Sequence, residues 1–204
     1  MVSRSGETPT FSVLKIERIL HPQPKPYSPK RPFFSTASGQ LLIHREKRAF
    51  KLVALGGTFD FLHKGHRQLL AKAFSKGDKV IIGVTSDELV KKMHKSHPVQ
   101  PYGTRVRELH HFLQARGWEQ RFRIARLQEP FGPPKSDPNV EALIVTSDTI
   151  SSGRQLNKLR KRKHLPKLVL VRTRLARAQD GKIISSTRIR DREIDREGRL
   201  MQHP

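Results

Sequence analysis

Apolar and polar positions fall into regular blocks from Phe50 onward. Phe50–Leu55 is a short apolar run ending in Gly56-Gly57, the pattern of a buried strand followed by a tight turn. Leu69, Leu70, Ala73 and Phe74 recur at helical spacing and predict a helix over Gly65–Lys76. Val80–Val84 predicts a second buried strand. Ser86 and Asp87 are capping residues and predict a short helix through Met93. A polar loop with Pro98 and Pro101 follows. Val106, Leu109 and Leu113 then share one face of a helix predicted over Tyr102–Ala115. Phe122–Leu127, Leu143–Thr146 and Leu168–Arg172 read as the third, fourth and fifth strands, with a basic helix at Ile150–Lys163 between the last two. A final helix is predicted over Ser186–Ile194, introduced by the loop at Asp180-Gly181.

Strands that alternate with helices build βαβ units and a parallel sheet. Continuous apolar strands such as Val80–Val84 fit burial on both faces. The fold class expected is α/β: a Rossmann-like open parallel sheet with helices on both faces. Ligands of such sheets sit beyond the carboxyl ends of the strands, here near Gly56, Val84, Thr146 and Thr173. Residues 1–49 break the pattern. Pro22, Pro24, Pro26, Pro29 and Pro32 lie close together, and apolar residues show no period. This stretch reads as a flexible or extended basic arm ahead of one domain at 50–204. It has no long apolar segment of the secretory type, while its Arg and Ser content leaves an organelle transit peptide open.

Charge adds a constraint. Lys and Arg number 41 against 18 Asp and Glu, so the formal charge is 41 − 18 = +23. Residues 1–49 hold nine of the bases and three of the acids (+6), leaving 32 and 15 (+17) for the remainder. The excess is therefore spread through the domain. Such a field suits phosphorylated small molecules, nucleic acid or a basic solvated surface. With only 6% aromatic residues, a base-stacking platform is disfavoured, and nucleic acid is not the expected partner. There is no cysteine, which excludes disulfides and thiolate metal sites. No apolar run approaches the roughly 20 residues that span a bilayer; no membrane association is expected, and a cytoplasmic setting fits. The oligomeric state is not legible.

One segment concentrates candidate chemistry. Gly56-Gly57-Thr58-Phe59-Asp60-Phe61-Leu62-His63-Lys64-Gly65-His66 leaves a strand and enters a helix. The glycines suit a sharp turn and a close approach to a ligand. Thr58 offers a hydroxyl. The helix start is expected to present unpaired N–H groups and a positive dipole end to an anion. His63 and His66, three residues apart, can address one phosphate chain. Two histidines could also begin a metal site, but a third protein ligand is not signalled. Asp60 is read as a residue that shapes the turn rather than as a metal ligand.

The string Gly57-Thr58-Phe59-Asp60…His63-Lys64-Gly65-His66 resembles the signature of the HxGH nucleotidyltransferases. Ile184-Ser185-Ser186-Thr187-Arg188-Ile189-Arg190 is similar to the Ser/Thr-rich phosphate motif near the C-terminus of the same superfamily. With Gly83-Val84-Thr85-Ser86-Asp87 and Pro101-Tyr102…Arg105, these stretches most resemble archaeal-type phosphopantetheine adenylyltransferase, also found as a domain of eukaryotic coenzyme A synthase. The resemblance runs from about Phe50 to Asp195. Asp148 stands where that family is expected to carry a glutamate.

The resemblance implies transfer of the adenylyl group of ATP to 4′-phosphopantetheine, giving dephospho-coenzyme A and pyrophosphate. It implies phosphate binding by Gly56, Gly57, Thr58, Phe59, His63, Gly65 and His66, with Ser185, Ser186, Thr187 and Arg188 at the other end of the triphosphate. His66, Thr58 and Lys95 are the implied catalytic residues. Lys92, Lys95 and Arg105 are candidates for the acceptor's phosphate; Arg105 could equally face solvent. Mg²⁺ is expected on the ATP phosphates rather than in a protein cage. A cytidylyltransferase or FAD synthase, and in another class a basic nucleic-acid-binding protein, are the alternatives. The last would rest on the run Lys158–His164.

Overall fold

The computed structural model describes residues 48–93 and 98–201. The N-terminal arm, save its last two positions, therefore lies outside the described residues. Strand β1 (Phe50–Gly57), helix α1 (Lys64–Lys76) and strand β2 (Gly77–Thr85) form the first βαβ unit. Helices α2 (Asp87–Lys92) and α3 (Tyr102–Gln114) lead to β3 (Phe122–Leu127). Strand β4 (Ala142–Val145), α4 (Ile150–Arg162), β5 (Val169–Arg172) and α5 (Ser186–Arg190) complete the chain.

All neighbouring strands pair in parallel, in the order β3-β2-β1-β4-β5. The chain builds from β1 to one edge and then crosses to the other side of β1. That reversal opens a crevice beyond the carboxyl ends of β1 and β4, where a ligand can enter between diverging loops.

Alternation along β1 and β2 fills both faces, as predicted. Val53 and Leu55, with Val80, Ile82 and Val84, pack on Leu70 and Phe74 of α1 and on Leu109 and Leu113 of α3. Ala54 and Ile81 point the other way and pack with Leu156 of α4 and with Leu168. Register sets Val53 beside Val80 and Gly57 beside Val84. A slip of one residue would exchange the two faces, so burial on both sides fixes where β1 ends.

The last helix is shorter than the sequence predicts. It stops at Arg190 because the chain reverses: Arg192 takes φ 58°. Ile194 is then fully buried against Ala176, Ala178 and Ile184, and bridges Leu200. Gly198 closes this small cluster with φ 88°, and a Cβ there would come 2.6 Å from Ile184.

Candidate active site

The turn after β1 does not fall where its glycines suggest. Gly56 and Gly57 are extended ladder residues opposite Gly83 and Val84. The chain turns instead at Phe59 (φ 55°) and Phe61 (φ 46°). A bulky residue in that region costs on the order of 1–3 kcal/mol. Phe59 is fully buried, and burial of such a ring contributes a similar ~1.5–3 kcal/mol. The core therefore holds the turn in shape.

Arg105 holds it from beneath. Its side chain is completely buried. Nη1 donates to the Thr58 and Thr85 carbonyls (2.8 Å each), Nε to the Gln100 carbonyl (2.7 Å), and Nη2 to the Asp87 carboxylate (2.7 Å). Arg105 is thus neither a phosphate ligand nor solvent-facing. Two of these four bonds go to main-chain oxygens at the carboxyl ends of β1 and β2, one to the loop before α3 and one to a carboxylate.

Asp60 is a second buried node. One oxygen accepts the Gln100 N–H (3.0 Å), and the other pairs with Arg190 (2.5 Å). Gln100 returns the contact by accepting the Phe61 N–H (2.8 Å).

His63 caps α1. Its Nδ1 accepts from the Gly65 N–H (3.2 Å), and Nδ1 of His66 accepts from the His63 N–H (3.5 Å). Each neutral ring therefore carries its proton on Nε2. The two imidazoles stack with centroids 3.7 Å apart, and Phe59 lies 5.2 Å from His66. A Cβ on Gly65 would come 3.1 Å from the His63 ring, so glycine lets the ring lie against the helix. Burial of His63, then Arg67 and Arg196, lower its pKa to about 4 despite the opposing pull of Asp60. At neutral pH the ring is uncharged.

The helix start is not the open anion site that the motif predicts. Lys64 N–H donates to the Arg196 carbonyl (2.9 Å), and Gly65 N–H to His63. A cavity of about 410 Å³ opens beside Lys64, lined also by Arg177, Gln179 and Arg199.

The second motif meets the first. Ser186 Oγ donates to the Asp60 carbonyl at 2.7 Å. Ser185 caps α5 by accepting the Arg188 N–H (3.3 Å). Arg190 lies over the Phe61 ring at 5.2 Å.

Residues 54–192 match the cytidylyltransferase-like family model. Phosphopantetheine adenylyltransferase from Methanothermobacter thermautotrophicus is 38% identical over 156 residues, 76% of this chain and 93% of that protein. The Methanosarcina mazei enzyme of the same name is 39% identical over 72% of this chain and 96% of its own length. The chain belongs to the phosphopantetheine adenylyltransferase family. A crystal structure of a protein of unknown function from Archaeoglobus fulgidus is 30% identical, with a TM-score of 0.53, over 59% of this chain and 87% of that one.

The fold brings most of the family's motif residues to one end of the sheet. Gly56 and Gly57 end β1, Thr58, Phe59, His63, Gly65 and His66 follow it, and the Ser186–Asp60 bond brings the start of α5 to them. Thr187 is exposed on α5. The Arg188 guanidinium is committed to Asp180 (2.6 Å) and Glu193 (2.7 Å), which makes it a brace for the motif. Lys92 is exposed at the end of α2, and Lys95 lies outside the described residues. Sequence reasoning missed Gln100 as a hub and Arg190 as the partner of Asp60. Arg190 lies inside the second motif; nothing marks Gln100 except its place between two prolines.

Proposed function

We propose that the chain transfers the adenylyl group of ATP to 4′-phosphopantetheine, with His63 and His66 as the donors to the phosphate chain. The observation that carries this reading is the stacked histidine pair at the carboxyl end of β1. Both rings turn Nδ1 to the backbone and keep a proton on Nε2. A phosphate oxygen of the acceptor attacks the α-phosphorus, and the bond to the leaving pyrophosphate breaks. The nucleophile is already an anion, so no protein base is required. The site's task is to align two polyanions and stabilise the charge that moves to pyrophosphate. Imidazole N–H groups and the Thr58 hydroxyl suit that task.

In this reading Ser185, Ser186 and Thr187 border the far end of the triphosphate. Mg²⁺ would enter with ATP as part of the substrate and would offset its phosphate charge. Asp60, the one carboxylate in the turn, is already spent on Gln100 and Arg190. Among the described residues, no helix is long and apolar enough to cross a membrane, and a cytoplasmic setting belongs to the same proposal. So does the division into an arm at 1–49 and a catalytic domain at 50–204. Lys92 and Lys95 are kept as candidates for the acceptor's phosphate.

A pyrophosphate-release assay tests the reading. Release is expected with ATP and 4′-phosphopantetheine, and not with CTP or with riboflavin phosphate as acceptor. A chain beginning at Lys47 should retain it, because that start keeps Arg48, which donates to the Phe74 carbonyl (3.1 Å). Turnover with CTP or riboflavin phosphate alone would move the chain to another reaction of the superfamily.

A further inference from the structure

A second cavity, of about 1040 Å³, lies between α4 and β5. Arg154, Lys158 and Lys161 line it from one exposed helical stripe. His164 and Lys167 extend the wall past the helix end. No carboxylate lines the groove, and no ion pair among the described residues involves these five. Like charges four apart weaken a helix slightly, so the stripe does nothing for α4 itself.

The floor has a different character. Leu165, Val169 and Leu170 are apolar, and Val169 is 52% exposed. β5 is also an edge strand, paired with β4 on one side. Val169 and Thr173 N–H groups donate to the Glu141 and Val145 carbonyls. Successive amides of a strand point to opposite sides, so those of Leu170 and Arg172 point away from β4.

We propose that this edge binds an acidic, extended segment of a partner protein, which adds to the sheet beside β5. Such a segment uses all three features: its backbone pairs with the open edge, its alternate apolar side chains cover Val169 and Leu165, and its carboxylates meet the cationic wall. A nucleic acid would leave the apolar floor and the strand edge unused, and no Phe, Tyr or Trp lines the groove to stack a base. A second copy of this chain would bring the same cations and the same +23 charge to the edge. Lysines beside an edge strand also repel unwanted strands, which makes negative charge the selecting feature of the one admitted. Val169 pairs with Ala142, the first residue of β4. The groove thus begins toward the amino ends of the strands, and its lining includes no residue of either phosphate motif.

Fluorescence anisotropy with the full chain and a labelled peptide of alternating glutamate and valine tests the proposal. Saturable binding is expected, weakening as salt rises. The double variant Lys158→Glu/Lys161→Glu should weaken it about tenfold or more while leaving pyrophosphate release unchanged. A peptide methylated on alternate backbone nitrogens should not bind, and the unmodified peptide should protect the Leu170 and Arg172 amides from hydrogen exchange. No saturable binding, equal binding of the methylated peptide, or an RNA duplex that outcompetes the peptide at the same residues would overturn it.

Discussion

The Ser186 hydroxyl donates to the Asp60 carbonyl at 2.7 Å, across 126 positions of sequence. This bond, with the Arg190–Asp60 ion pair, ties the two phosphate motifs into one site. Ser186→Ala should cost about 1 kcal/mol of stability by removing the donor. It should also lower kcat about tenfold, because the two ends of the triphosphate would no longer be held in register. Urea unfolding and steady-state pyrophosphate release measure the two effects; unchanged kcat would show that the bond serves the fold alone.

His66→Ala should lower kcat roughly 10²-fold or more, with a smaller change in KM, as expected for a contact made mainly as pyrophosphate leaves. Near wild-type turnover in this variant would remove His66 from the chemistry.

Arg105 separates a supporting role from a binding one. Arg105→Ala leaves the Thr58, Thr85 and Gln100 carbonyls without their donor, and should destabilise the chain by on the order of 3–5 kcal/mol. Arg105→Lys keeps the charge but cannot reproduce the planar fork, so it should recover only part of the loss. A phosphate ligand would behave differently: KM for the acceptor would rise and the unfolding midpoint would stay put.

Stability should fall on mild acidification. His63 has a pKa of about 4 in the folded chain, against about 6.5 when unfolded. The folded state therefore favours the neutral ring. That stabilisation is complete above about pH 6.5 and is lost as pH falls toward 4, the loss reaching about 3 kcal/mol. Burial of the Asp87 carboxyl opposes its ionisation, but the Tyr102 N–H and Arg105 outweigh it and hold the pKa below the usual value. Arg188 and the Lys182 N–H do the same for Asp180. Those groups act below the His63 window. Urea midpoints at several pH values check this, and His63→Asn, which retains a capping acceptor, should flatten the slope.

The central strands were legible because burial on both faces leaves an unbroken apolar run; at the sheet edge β3 keeps its expected bounds although Arg123 and Arg126 interrupt it. The conformations inside the site were not. Phe59 occupies a backbone region that its own side chain disfavours, and only packing against residues distant in sequence keeps it there. Arg105 reads as an ordinary surface base on an amphipathic helix, since three of its partners lie 18, 20 and 47 positions away. The end of α5 was misplaced because Ile194 continues a helical apolar pattern while its burial requires the chain to double back.

The capped start of α1 bears on the end of the reaction as well as its beginning. Lys64 and Gly65 amides are already paired within the protein. A departing pyrophosphate therefore strands neither of these main-chain donors, and the loop has no vacancy to refill by collapsing. The turn is therefore expected to need no rebuilding between turnovers, which hydrogen exchange of the Lys64 and Gly65 amides with and without ATP checks.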